Sequence, residues 1–352
     1  MPTTHDVVVV GAGVFGAWTA YHLKRAGARV LLIDQHGPGN SRSSSSGETR
    51  IIRMSYGASE IYTRSSMRSL ELWKNVCPAL FHNTGVLVTA APTDPYLIDT
   101  RATLSRCGVR HEYLKSFQKR FPQISLASET EGIWEPDSGV LMARRAVQAV
   151  VEASGADYET RAGSPNIRAG IVVYACGPWL PKLFPEILGG RIRPTRQEVF
   201  FFGTPPEYKS MPTWIAFREG AYSIPALDGR GFKIALDSHG PAFDPETGDR
   251  QITQEALRKT RAILRKRFPA LARAPLVESR VCQYENTSNG DFLIDRHPRS
   301  KNVWLVGGGS GHGFKHGPWV GEYVASQIAG TAPAEPRFSL ASKKTARQRS
   351  VY

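Results

Sequence analysis

Three features of the sequence predict an α/β chain with two interleaved lobes, one doubly wound and one an α+β unit built on a mostly antiparallel sheet. The first is a strand–glycine–helix–strand unit at residues 5–34, and the second is a comparable strand–glycine–helix unit at 302–330. The third is the stretch between them, where short β-rich runs such as "RQEVFFF", "AYSIP" and "FKIALD" stand between turn residues. A late unit of this kind can return the chain to the first one, and 352 residues are enough to bury two cores. The division that follows gives 1–80, 140–188 and 296–340 to the doubly wound lobe. It gives 81–139 and 189–295 to the second lobe and leaves 341–352 as a basic tail, expected to fray.

In "HDVVVVGAGVFGAWTAYHLKRAGARVLLID" a fully apolar strand, Val7–Val10, enters the turn Gly11-Ala12-Gly13, and a helix opens near Gly16. Gly11 permits the tight turn, Gly13 lets backbone amides such as that of Val14 approach a pyrophosphate, and Gly16 lets the helix pack on the strand. The helix ends near Gly27, and a second strand, Val30–Ile33, closes on Asp34, placed to accept hydrogen bonds from a ribose diol. An acid there repels a 2′-phosphate and sets NADP last among dinucleotides. FAD and NAD both remain open at this point.

In "NVWLVGGGSGHGFKHGPWVGEYVASQIAG" a strand over Val303–Val306 meets a loop containing Gly308, Gly311 and Gly313, and a helix runs from about Pro318 toward Ile328. A helix N-terminus carries partial positive charge. A reduced flavin holds negative charge at its pyrimidine end and is stabilised by such a site, whereas a nicotinamide has no comparable need. This unit favours FAD.

The remaining composition narrows the class. Hydrophobic residues make up 41% and charged residues 22%, and no apolar run is long enough to span a bilayer. The polar Met1–Asp6 leads straight into a strand rather than a signal peptide, so a cytoplasmic chain with reduced thiols is expected. Cys77, Cys107, Cys176 and Cys282 show no C-x-x-C pair and no histidine at zinc spacing, which points away from disulfides and metal. The net charge of +14 gathers in "RKTRAILRKRF", read as a helix with one apolar face, and in "KKTARQRS". Aromatic residues are not interleaved with these cations, so a solvated surface that attracts anionic small molecules is expected rather than nucleic-acid binding.

A series of motifs in order resembles the sarcosine oxidase branch of the D-amino-acid-oxidase-like flavoproteins over nearly the whole chain. They are "VVVVGAGVFG", "SSSSGETRIIRMSYG", "GVLV", "EPDSGVL", "ACGPW", "GFKIAL", "VCQYENTSNGDFLID" and "GGSGHGFKHGPWVGE". That branch includes monomeric sarcosine oxidase, N-methyltryptophan oxidase and L-pipecolate oxidase. The resemblance implies an FAD-binding Rossmann-like domain of the GR2 type and an amine oxidase. Such an enzyme passes hydride from a secondary or primary α-amino acid to flavin N5, and oxygen is reduced to hydrogen peroxide. A monomer is also implied. Two alternatives stand beside it: a flavin-dependent amino acid dehydrogenase with another electron acceptor, and an NAD-dependent dehydrogenase.

Residue by residue, the resemblance places Cys282 as a thioether to the 8α-methyl of FAD, with His312 or Lys315 as a nearby cation. Arg53 and Lys315 would clamp the substrate carboxylate, and Arg50 would lie near the flavin ring. Lys233 would speed oxygen reduction by stabilising superoxide. Tyr222 and Tyr284 would line the substrate cavity, with His312 near the flavin. Ser43, Ser46, Thr49 and Gly177 join the glycines and Asp34 as cofactor contacts. Where the family has a second active-site histidine, four positions after the lysine, this chain has Asp237. His239 is expected to share its face. That acid favours an ammonium or a more cationic substrate. The segment "GADYETRAGSPNIRAG" (155–170) is shorter than the family's β-excursion and is expected to be a trimmed hairpin.

Overall fold

The computed structural model describes residues 5–127, 130–161 and 169–346. Strands β1 (Val7–Val10), β2 (Val30–Asp34), β9 (Asp157–Thr160), β10 (Ile171–Tyr174), β16 (Leu293–His297) and β17 (Ser300–Gly307) form one sheet, in the order β16-β17-β10-β1-β2-β9. All its neighbours run parallel except the edge pair β16–β17. The unbroken valine run of β1 follows from this position, because a central parallel strand is covered on both faces. Helix α1 (Val14–Arg25) leaves β1 two residues earlier than Gly16 suggests and packs beside the helix Gly317–Ala329. Gly317 and Gly321 make that contact possible, since a Cβ at either would collide with Trp18.

The second sheet has eight strands. They are β5 (Val86–Ala90), β6 (Glu112–Leu114), β7 (Glu131–Glu135), β11 (Ile192–Phe202), β12 (Thr213–Ala216), β13 (Ala221–Ile224), β14 (Phe232–Leu236) and β15 (Leu276–Thr287). Their order is β15-β11-β14-β13-β12-β5-β7-β6, antiparallel except for the β12–β5 pair. A third sheet, β3 (Thr49–Ile52), β8 (Gly139–Met142) and β4 (Phe81–His82) in the order β3-β8-β4, lies in sequence between elements of the other two. The chain returns to the six-stranded sheet at Leu293, three residues before the expected position of 296.

The basic stretch is a helix, Gln254–Arg267, with Leu264 buried and Phe268 buried just past its end. Of the segment 155–170, residues 157–160 pair with β2 as the sheet edge, and 162–168 lie outside the described residues. In its described part, up to residue 346, the tail departs from the expectation of fraying. Lys343 is fully buried and donates to the carbonyl of Arg337 at 2.6 Å and to Asn289 Oδ1 at 3.3 Å, which anchors the chain up to that point. Residues 347–352 lie outside the described residues.

Candidate active site

A cavity of about 280 Å³ runs from the carboxyl ends of β1, β10 and β17 to the inner side of the eight-stranded sheet. In doubly wound sheets this edge is where ligands bind. At one end stands the glycine turn. Gly11 has φ +104°, and a Cβ there would come 2.5 Å from the carbonyl oxygen of Ala175. A side chain at Gly16 would overlap the carbonyl of Gly11. The first turn of α1 holds no acid, and its Val14 amide is capped from another loop by Ser45 Oγ at 2.9 Å. Asp34 lines the cavity and accepts from the amides of Ala12 (2.7 Å) and His36 (2.8 Å), so it also shapes the loop.

Farther along, Arg50 is half-buried and donates to three backbone carbonyls: Thr49 at 2.8 Å, Ser44 at 3.0 Å and Ser46 at 2.7 Å. Its guanidinium also lies 3.5 Å from Cys282 Sγ. Arg50 is therefore a cation in contact with this sulfur, a neighbour the sequence did not point to. Lys233, buried on β14, donates to the same Thr49 carbonyl at 3.0 Å. Burial, reinforced by the charge of Arg50, pulls its ammonium down to about 7.

A second cationic pair closes the other end. Arg53 is buried and lies over the rings of Tyr56 (4.5 Å) and Phe217 (4.8 Å). Lys315 donates to Tyr56 Oη at 2.8 Å and to the His312 carbonyl at 3.0 Å. Burial, together with the neighbouring Arg53, holds the Lys315 ammonium well below the usual lysine range. Tyr56 Oη also meets His316 Nε2 at 2.7 Å and His312 Nδ1 at 3.3 Å. Glu135 accepts from the amides of Met54 (2.7 Å) and Ser55 (3.0 Å), pinning the backbone after Arg53.

The expected residues Tyr222, Tyr284, His312, Gly177, Gly311, Gly313, Ser43, Ser46 and Thr49 all line the cavity. Gly308 stands just behind, where a Cβ would meet the Thr287 methyl at 2.6 Å. Tyr284 donates to Asp237 Oδ1 at 2.8 Å. The strand face expected to carry both His239 and Asp237 is a correction. β14 ends at Leu236, so strand alternation stops there, and His239 lines a separate small cavity with Arg193 and Asn286. The late helix has the expected span to within a residue at each end. It begins at Gly317, and the 3-10 turn before it, Gly313–His316, supplies the cavity-lining residues.

Residues 6–327 match the family model described as FAD dependent oxidoreductase (DAO). The chain belongs to this family. It is 32% identical to the monomeric sarcosine oxidase of Bacillus sp. (strain NS-129), across 97% of each chain. It is 30% identical to the peroxisomal sarcosine oxidase of Mus musculus, across 97% of this chain and 96% of that one. Among solved structures, L-proline dehydrogenase from P. horikoshii matches with a TM-score of 0.83 at 24% identity, over 97% of this chain and 98% of that one. That last likeness speaks for the fold alone.

FAD, the cofactor of this family of oxidoreductases, fits the cavity. Beyond the glycine turn, three buried oxygens of lining residues have no hydrogen-bond partner among the described residues: Ser44 Oγ, Gln283 Oε1 and Glu285 Oε2. Buried polar atoms are normally paired, so the wall is shaped for a polar ligand. Among the described residues no cluster suited to a metal ion occurs, and no helix is long and apolar enough to cross a membrane.

Proposed function

We propose that this DAO-family oxidoreductase is an amine oxidase that converts a secondary (N-methyl or cyclic) or primary α-amino acid to its imine, with oxygen as acceptor and hydrogen peroxide as product. The observation that carries this reading is the meeting of two Arg–Lys pairs in one cavity, one beside Cys282 and one around Tyr56. When bound, FAD supplies the two-electron acceptor for the C–H bond next to the amine nitrogen and the link from there to oxygen. Arg53 and Lys315 bind the substrate carboxylate, and Tyr56 holds the Lys315 ammonium in place. Like charges this close in a buried site are relieved by an anion between them, which supports a carboxylate ligand.

Lys233 and Arg50 provide fixed positive charge where electrons reach oxygen, a step that creates superoxide. Asp237 is hydrogen-bonded by Tyr284 and raises the proton affinity of both Arg53 and Lys315. It favours a substrate whose amine arrives as an ammonium or which carries a further cation. Cys282 is the candidate for a thioether to the 8α-methyl of FAD, with the Arg50 guanidinium 3.5 Å from its sulfur. Such a link would replace one S–H and one C–H bond by an S–C bond, with two electrons and two protons passing to oxygen. The chain is expected to act as a cytoplasmic monomer.

A peroxide-release screen across N-methyl, cyclic and primary α-amino acids, with the matching amides as controls, tests the reading. Peroxide from acids and not from amides is expected. Flavin reduction without peroxide would instead assign the electrons to a quinone or carrier protein. For the thioether, acid precipitation should leave the yellow colour in the wild-type pellet and release it from Cys282→Ala. Release from wild type defeats the covalent link.

A further inference from the structure

The wall of the cavity between the glycine turn and Cys282 contains a feature that neither Arg–Lys pair accounts for. Glu285 on β15 is buried, 7% exposed, and lines the cavity. Its Oε1 accepts from the Gly309 amide at 3.2 Å and the Gly308 amide also faces the carboxyl, whereas Oε2 makes no well-formed hydrogen bond among the described residues. Two residues earlier, and so on the same face of the strand, Gln283 is 1% exposed. Its Nε2 donates to the Arg42 carbonyl at 2.6 Å, and its Oε1 is likewise unpartnered. The carboxyl group presses on glycine backbone at the ends of β10 and β17. A Cβ at Gly307 would come 3.1 Å from Oε2, one at Gly309 3.3 Å from Oε1, and one at Gly177 3.8 Å from Oε2.

The sheet order says which part of a dinucleotide passes here. Asp34 closes β2, the α1 N-terminus follows β1, and β10 and β17 lie on the far side of β1, toward Cys282 and Lys233. A dinucleotide with its ribose at Asp34 and its pyrophosphate at the α1 N-terminus would carry its polyol chain onward past β10 and β17.

We propose that Glu285, with Gln283 beside it, is a cofactor-positioning residue that hydrogen-bonds the ribityl hydroxyls of FAD. Hydroxyls both donate and accept, and so suit two orphaned oxygens in a row. Burial raises the Glu285 carboxyl to about 7, so its protonated form is available as a donor to the polyol near neutral pH. The proposal rests on FAD occupying the cavity, which the flavin content of the wild-type protein checks separately.

The test measures FAD affinity by flavin fluorescence in a Cys282→Ala background, where binding is reversible whether or not the thioether forms. Glu285→Gln, which keeps an acceptor and gains a donor, is expected to bind within about 2-fold of its parent. Glu285→Leu is expected to bind about 10-fold more weakly, the loss of one or two buried hydrogen bonds. With an FAD analogue lacking the ribityl hydroxyls the Leu penalty should vanish, and with the 2′-deoxyadenosine analogue it should persist. Apoprotein melting temperatures separate a folding defect from a contact. Gln283→Leu undergoes the same analogue comparison and carries the test if Glu285→Leu does not fold. A Leu variant that binds FAD as tightly as its parent overturns the proposal. So does a penalty that survives removal of the ribityl hydroxyls, or one that disappears with the deoxyadenosine analogue.

Discussion

The two Arg–Lys pairs use the same residue types, yet their surroundings differ. Arg50 and Lys233 are held by backbone carbonyls, and the carbonyl of Thr49 serves both. Arg53 and Lys315 lean mainly on closer aromatic faces and a phenol, with the His312 carbonyl as the one backbone acceptor named for Lys315 and with Asp237 and Glu135 as the carboxylates that favour their charged forms. Several peptide dipoles can hold a charge without a ligand, whereas a pair resting mainly on rings and a phenol gains most when an anion arrives. Under the proposed function, the difference separates a site that serves electrons from a site that serves substrate. The two halves of the catalytic cycle should therefore fail independently.

The largest expected effect is on oxygen. Lys233→Met should slow reoxidation of the reduced enzyme by roughly 100- to 1,000-fold, the scale of removing a preorganised charge. Anaerobic reduction by substrate should change only a few-fold. Stopped-flow measurement of both halves checks this, and equal losses would erase the distinction between the pairs. The wild-type reoxidation rate should also fall as pH rises through about 7, because Lys233 is protonated below that point and neutral above it. The Met variant should lack that transition.

Next in size is the carboxylate clamp. Arg53→Met should lower kcat/KM for amino acids by about 100-fold, as expected for loss of a buried charge-assisted contact, and should leave reoxidation intact. Amide substrates should barely notice the change. Since Lys315 is held well below its usual range, substrate binding should draw in a proton, and KM for the carboxylate should rise with pH. A flat KM profile with an intact clamp contradicts this role.

Smallest is Tyr56→Phe, which removes one hydrogen bond to Lys315 and leaves Arg53 its ring. KM should rise about 5- to 10-fold, the scale of one hydrogen bond to a charged group, with no effect on the oxygen step. A change in reoxidation would show that the phenol couples the two pairs.

Much of this was legible in the sequence where the signal is local. Strand β1 has the expected limits, the acid closing β2 is Asp34, and Cys282 with both Arg–Lys pairs reaches one cavity. What stayed hidden depends on contacts between distant segments. Glu135 pins Met54 from 81 residues away, and Tyr56 meets His316 across 260. Both lie inside "EPDSGVL" and "RMSYG", yet nothing in their spacing announces the partner. Glu285 stands in "VCQYENTSNGDFLID" and looks like an ordinary strand residue until its depth is known. The misplacement of His239 has the opposite cause, a local rule carried past the end of its strand.

Anaerobic titration of the purified yellow protein with an N-methyl or cyclic α-amino acid tests the central claim most directly. The flavin absorbance should bleach with one equivalent of substrate per flavin, and air should restore it with one equivalent of peroxide. A protein without flavin absorbance, or a flavin that no α-amino acid bleaches, would contradict the account.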